Sequence, residues 1–515
     1  MAKNHPKTYV TLLTLLVGMG LSCLATVLYG ADSVQPEITL IYPSYRNQIQ
    51  SKDPVKELRV RLDTQLDPRS KVYVSGALYC DSQLTDSWKA TLSVNKDGSC
   101  EYVRNLADLS PASYIIKLSI YSKDEALRVE WELPVYVLPP APYEVTFDHR
   151  RVCYVDGKPC FPLGIYHMQP AVFTNYVRPE AQQFGLPNTN WRQGLSDVKA
   201  QGFNTVIHAW SQPSDVFLRE AGELGLAIIT EGATFTDRAG FVELRERANR
   251  QQKVLMWYGV DEPYQPHQTE LSRRFYSDAR VIDPHRPVGT AIGIIAGISP
   301  VLDSLDVVMP DYYDIRYNNG ILSRDLADYA VWLAETKRIA EVAGKPVWSV
   351  PQAFAGGDDP KSVMWLEPTP EQLRCQAYIS LVKGATGLLW YAYFTGEKLP
   401  GSQRGHWYLP DSPLWDYFGK LNAEVARFAE VLVRSEASAN IEWSDPRLQS
   451  RSWTCNGKPY LIAVNPTTET LFCHLADPPG REARIWSEDR KQKSQSGSFS
   501  DTFDPYAVHI YEFDR

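Results

Sequence analysis

Hydrophobic and polar positions divide the chain into four stretches. Lys3 and Lys7 precede an apolar run from Tyr9 to Leu28, interrupted by small residues such as Gly18, Gly20 and Ser22. Leu28-Tyr29-Gly30-Ala31 offers small residues for cleavage near Ala31, so residues 1–31 read as a secretory signal peptide. The run is also long enough to span a bilayer, which leaves an uncleaved N-terminal anchor as the rival reading. From about 35 to 138 the period is two, as in Leu58-Arg59-Val60-Arg61-Leu62 and Lys71-Val72-Tyr73-Val74-Ser75. Short alternating strands separated by turns predict an immunoglobulin-like β-sandwich, read here as a spacer. Leu138-Pro139-Pro140-Ala141-Pro142 is a stiff linker.

Between about 143 and 435 the pattern changes to short apolar strands alternating with helical stretches. Eight strands are predicted: 162–166, 203–208, 227–231, 254–259, 288–291, 305–309, 346–350 and 387–391. Eight such units in just under 300 residues fit a (β/α)8 TIM barrel. Thr369-Pro370-Glu371-Gln372 has the form of a helix N-terminus, with a capping threonine, a proline at the first position and a glutamine at the third. The fifth unit is the short one, with only 293–304 as its connection. From about 438 to 515 strands return, as in Tyr460–Asn465 and Ala507–Phe513, predicting a C-terminal antiparallel β-sandwich with an exposed loop over 489–500. The fold class expected is α/β, a barrel flanked by two sandwiches.

Composition narrows the partners. Lys and Arg total 53 against 61 Asp and Glu, a net charge of −8 with no basic block, which argues against nucleic acid. The 14 Trp, 29 Tyr and 17 Phe suit core packing and also flat ligands such as sugar rings. Six of the eight cysteines fall as near neighbours (80 with 100, 153 with 160, 455 with 473), so an oxidising compartment would let them close short loops. That pattern agrees with a secreted or periplasmic protein, whose only membrane attachment would be the N-terminal segment. No Cys-x-x-Cys or His-rich cluster suggests zinc.

In a (β/α)8 barrel the reacting groups come from the C-terminal ends of the strands. Here those ends supply His167, His208 and Trp210, Glu231, Asp261 and Glu262, Asp311 and Tyr312, Gln352, and Trp390. Carboxylates handle protons and positive charge, aromatics stack on sugar faces, and amides, imidazoles and hydroxyls hold sugar hydroxyls. His167 and His208 read equally well as structural histidines, and Trp210 and Tyr312 equally well as core.

The segment 156–166, the Trp257–Pro263 stretch and the Gly384–Tyr391 stretch together resemble the (β/α)8 glycosidases of glycoside hydrolase clan A. The resemblance implies a secreted, multi-domain bacterial protein acting on a poly- or oligosaccharide, with no cofactor. It assigns Glu262 as general acid/base, with Asp261 where the clan has asparagine, and Trp390 as the floor of the sugar subsite. The chain departs from the clan at the seventh strand, where Gln352 stands in place of the nucleophilic glutamate. Three readings stay open. Glu231 or Asp311 supplies the nucleophile; one of them acts as a base through water in an inverting reaction; or the chain is a non-catalytic carbohydrate-binding or cell-surface scaffold on a decayed barrel. Gln352 and Asp261 would contact substrate in each.

Overall fold

The computed structural model describes residues 26–29 and 37–514, apart from 65, 124–126, 169–190, 210–212, 234–236, 252, 357–360, 395–411, 436–437, 489 and 496. It divides into two compact units, Met1–Lys158 and Pro159–Arg515. Most of the segment read as a leader lies outside the described residues. Its last part, Thr26–Tyr29, forms an edge strand antiparallel to Arg128–Val137.

The first unit is a β-sandwich. One sheet is built on Arg128–Val137, Ala112–Ser122, Lys71–Cys80 and Gln83–Ser93, and the other on Glu37–Tyr42, Glu57–Asp63 and Ser99–Asn105. The period-two sequences put Leu58, Val60, Leu62, Val72, Val74, Ile116, Leu118 and Ile120 inside, each almost wholly buried. Gly76 makes room for Trp88 opposite it, since a Cβ there would lie 2.1 Å from the indole. Asp156 and Gly157 both have positive φ, the geometry of a tight hairpin turn.

The second unit contains the barrel. Its strands are β1 (Leu163–Met168), β2 (Thr205–His208), β3 (Ala227–Glu231), β4 (Val254–Tyr258), β5 (Val288–Ile292), β6 (Val307–Pro310), β7 (Trp348–Ser349) and β8 (Gly387–Phe394). All neighbours are parallel, in the order β6-β5-β4-β3-β2-β1-β8-β7. A parallel bridge between Val308 and Val347, with the Val308 amide on Pro346 O and the Val350 amide on Pro310 O, closes the ring. The fold is therefore a (β/α)8 barrel with a β-sandwich on either side in sequence, of mixed α/β content. Strands such as β4 are apolar throughout because both faces are covered.

Helices α1 (Trp191–Ala200), α2 (Asp215–Glu223), α3 (Arg238–Gln251), α4 (Pro266–Ile282), α5 (Ala327–Val342), α6 (Pro370–Val382) and α7 (Pro413–Leu432) connect the strands. The fifth connection holds only the 3-10 turns Ile295–Gly297 and Ser299–Ser304, in keeping with its short sequence. Thr369 caps α6 as its sequence predicts: its hydroxyl accepts the Gln372 amide while Gln372 Oε1 accepts the Thr369 amide.

The C-terminal strands form a six-stranded sheet, centred on Lys458–Val464 and Val508–Phe513, and a two-stranded one, Leu471–Ala476 with Ser498–Phe503. Trp443, Phe499, Phe503, Tyr511 and Phe513 fill the space between them. The loop expected over 489–500 instead contributes the strand Arg490–Lys493, whose lysines pair with Glu482 across the ladder. The seven cysteines among the described residues are free thiols. Nearness in sequence misled for two of the expected pairs. Cys80 faces Gln83 and Tyr114 while Cys100 faces Leu62 in the other sheet, and Cys455 faces Lys458 while Cys473 faces Asp501. Among the described residues no helix is long and apolar enough to cross a membrane.

Candidate active site

The loop after β4 is laced to β5 residue by residue. The Gly259 amide donates to Gly289 O, the Thr290 hydroxyl to Val260 O, and the Glu262 amide to Ala291 O. Pro263 ends this passage, and the Gln265 amide bonds Gln268 Oε1 at the start of α4. Held at both ends, Glu262 sits in the left-handed region with φ +42°, which costs a non-glycine residue about 1 kcal/mol.

Asp311 arrives from the end of β6. Its meeting with Glu262 is measured at Gly293, just beyond β5. A Cβ on Gly293 would lie 2.5 Å from Glu262 Oε1, 3.0 Å from the Tyr264 hydroxyl and 3.3 Å from Asp311 Oδ1. Glu262 Oε1 and Asp311 Oδ1 are therefore under about 6 Å apart, closer than the carboxyls of an inverting glycosidase pair. Glycine stands at 293 for space, because any side chain would push into this meeting point.

The electrostatics of the pair are unequal. Burial pushes the Asp311 carboxyl well above the usual carboxylate range, and the negative charges of Glu262 and Asp261 push it further. Its Oδ1 is shut away from solvent and has no hydrogen-bond partner among the described residues. Glu262, half-buried like Asp311, accepts a hydrogen bond from the Tyr264 hydroxyl at 2.7 Å. Asp261 accepts from the Tyr258 hydroxyl at 2.5 Å, and Tyr258 in turn meets Tyr166 at 3.2 Å.

Aromatic rings line the same mouth. Tyr391 of β8 stacks on Tyr313 at 5.9 Å and meets Tyr166 and Phe354 edge-on, and Trp365 lies beside Phe354. Tyr313, Tyr391 and Trp365 are half-buried and so keep ring surface available.

Of the expected site residues, Glu262, Asp261 and Asp311 come together. Glu231 ends β3, buried, with its carboxylate accepting the Ala233 amide, and the carboxylates acting on Asp311 are Glu262 and Asp261. The side chain of His167 and the whole of Trp210 lie outside the described residues. Two expectations are corrected, for Trp390 and Gln352, and for Tyr312 and His208, which were open between site and core, packing contacts are seen. Trp390 is fully buried and packs on Phe418 of α7, so it presents no face to a sugar. Side chains alternate along a strand, and the ring that faces the mouth belongs to Tyr391. By the same alternation Tyr312 turns to α5 and stacks on Trp332 at 5.5 Å, leaving Asp311 and Tyr313 inside. His208 packs against Phe217 of α2. Gln352 is fully buried, and its amide nitrogen reaches Ile315 O, Phe354 O and Leu366 O. It clamps the loops after β6 and β7 and has no donor left for a substrate.

Sequence reasoning missed Tyr264, Gly293, Tyr313 and Tyr391. A tyrosine two residues past Glu262 and a glycine directly after β5 were the available signals. Among the described residues no group of three or more His, Cys, Asp or Glu side chains is arranged to hold a metal ion.

No protein-family model matches the chain, and no curated protein matches it. Similar solved structures include a β-D-glucuronidase of Dictyoglomus thermophilum, with 15% identity over 76% of this chain and 68% of that one, at a TM-score of 0.39. A GH2 β-galacturonidase from Eisenbergiella tayi bound to galacturonate has 16% identity over 72% and 69%, at 0.41. A β-glucuronidase of Parabacteroides merdae has 12% identity over 94% and 75%, at 0.39. These neighbours are glycosidases. Superpositions this loose transfer neither residues nor substrates, and the barrel assignment rests on the strand order.

Proposed function

We propose that the protein is a glycoside hydrolase acting on a poly- or oligosaccharide, with Glu262 and Asp311 as its reacting carboxylates. The observation that carries this reading is the convergence of the two on Gly293 at the C-terminal mouth of the barrel. A barrel mouth is where such folds place their chemistry, and the spacing favours retention of configuration.

The roles follow from the unequal surroundings. Desolvation and the neighbouring Glu262 and Asp261 carboxylates raise the Asp311 carboxyl well above the usual range, so Asp311 is assigned as general acid to the glycosidic oxygen. Glu262, whose Oε1 accepts from the Tyr264 hydroxyl, is assigned as the carboxylate that attacks the anomeric carbon. As the C1–O bond breaks, the Asp311 proton goes to the leaving oxygen and Glu262 forms an ester with C1. Asp311, now ionised, takes a proton from a water molecule that attacks C1 and releases Glu262. This order exchanges the role that the clan resemblance gives Glu262. Tyr391, Tyr313 and Trp365 supply the stacking surface, and Asp261 adds negative charge next to the developing oxocarbenium ion.

The scaffold alternative drew on Gln352, whose amide is spent on backbone carbonyls and so has no bearing on catalysis. A secreted or periplasmic location is proposed on the N-terminal segment alone. The test is a panel of aryl glycosides and polysaccharides. Turnover by the wild type should fall at least about 1,000-fold in Glu262→Gln and in Asp311→Asn while sugar binding persists. Full activity in either variant refutes the pair, and binding without turnover in the wild type refutes hydrolysis.

A further inference from the structure

Tyr264 touches Glu262 through a hydroxyl whose direction is fixed. The Gly293 amide donates to Tyr264 Oη, so the single phenolic proton is committed to Glu262 Oε1. The ring is held as well, packed against the cluster of Ile292, Ile298, Val301 and Leu305, with Gly297 so close that a Cβ there would lie 2.8 Å from the ring edge. Among the described residues this hydroxyl is the sole hydrogen-bond donor to the Glu262 side chain, and Oε2 accepts none. The titratable groups facing this corner are Asp311 just past β6 and Asp261 from the same loop, and the ring facing it from β8 is Tyr391. Among the described residues no lysine, arginine or histidine acts on Asp311, Tyr264 or Tyr391.

We propose that Tyr264 is a positioning residue, which fixes Glu262 by Oε1 and presents Oε2 as the oxygen that reacts with the sugar. This rests on the hydrolase reading above and adds the element that orients the attacking carboxylate. A neutral hydrogen bond is what the site needs there. A cation would also keep Glu262 ionised, but it would oppose the positive charge that develops on the sugar.

Tyr264→Phe removes the donor and keeps the ring. It should lower kcat about 10- to 100-fold, the worth of one hydrogen bond to a charged group, with KM little changed. The acidic limb of the pH–rate profile should move to higher pH, because the anion loses its donor. A readout without turnover is carboxyl-labelled glutamate NMR, with the Glu262 signal assigned by its loss in Glu262→Gln. The titration of that signal should move to higher pH in Tyr264→Phe. Gly293→Ala, whose methyl would press on Glu262 Oε1 and on the Tyr264 hydroxyl, is the second route to the same shift. Unchanged kcat together with an unmoved Glu262 titration in both variants overturns the proposal. Absence of turnover in the wild type would sink the hydrolase reading, while the NMR titration would still decide what Tyr264 does to Glu262.

Discussion

Putting glutamate at position 352 restores, on paper, the nucleophile that clan A glycosidases carry on their seventh strand. The structure predicts that it will damage the protein instead. Gln352 is fully buried, and its amide nitrogen lies 3.1 Å from Ile315 O, 3.1 Å from Phe354 O and 2.9 Å from Leu366 O. Its Oε1 accepts the Ile315 amide at 3.2 Å. In Gln352→Glu an oxygen replaces that nitrogen and faces three carbonyl oxygens. Two donated hydrogens are lost at about 1 kcal/mol each, and stranded acceptors and a buried charge bring the total to about 3–5 kcal/mol. At about 2 °C per kcal/mol for a domain of this size, the barrel should melt roughly 6–10 °C lower at neutral pH. The sign with pH is fixed too. Burial among carbonyls raises the folded pKa of the new carboxyl above its unfolded value of about 4.3. Relative stability is therefore highest below that value and falls as pH climbs toward the folded one. The assay is thermal unfolding at pH 4.5 and pH 8, with turnover measured on the same preparations. Unchanged melting at pH 8, or a rise in kcat, would refute the reasoning and return Gln352 to the substrate.

Asp311→Asn should separate stability from activity. The native pKa of Asp311 is raised, so its contribution is greatest below the unfolded value of about 3.9 and declines as pH rises toward the native one. The variant should thus melt higher than the wild type at pH 8 and lose that advantage at pH 4, and a lower melting temperature at pH 8 would contradict the assignment. Trp390→Ala and Tyr391→Ala should behave oppositely. The first opens a cavity against Phe418 and costs about 3–5 kcal/mol, and the second weakens sugar binding by the inactive Glu262→Gln protein with a smaller loss of stability. Titration calorimetry and melting curves on the two variants check this, and equal effects on both readouts would place both rings in one role.

The one-dimensional pattern was enough for the barrel. Each of the eight strands is a short apolar run because both of its faces are covered, and that requirement is written locally. The fifth unit, expected to be thin, holds two 3-10 turns where a helix would stand. Glu262 and Asp311 were legible for a related reason, since strand ends are readable and a barrel gathers them on one rim. What could not be read was facing. Trp390 and Tyr391 are adjacent in sequence, yet one packs on α7 and the other lines the mouth. Which of two alternating side chains points inward depends on the register of β8 against β1 and β7, a long-range property. The same holds for Gln352, whose partners come from loops 14 and 37 residues away. Likewise Tyr264, Gly293 and Asp311 come from three separate strand ends and meet only once the ring has closed. Local chemistry sets which groups the chain carries and which elements hold them. Closure and register, being sums over distant contacts, decide which of those groups meet.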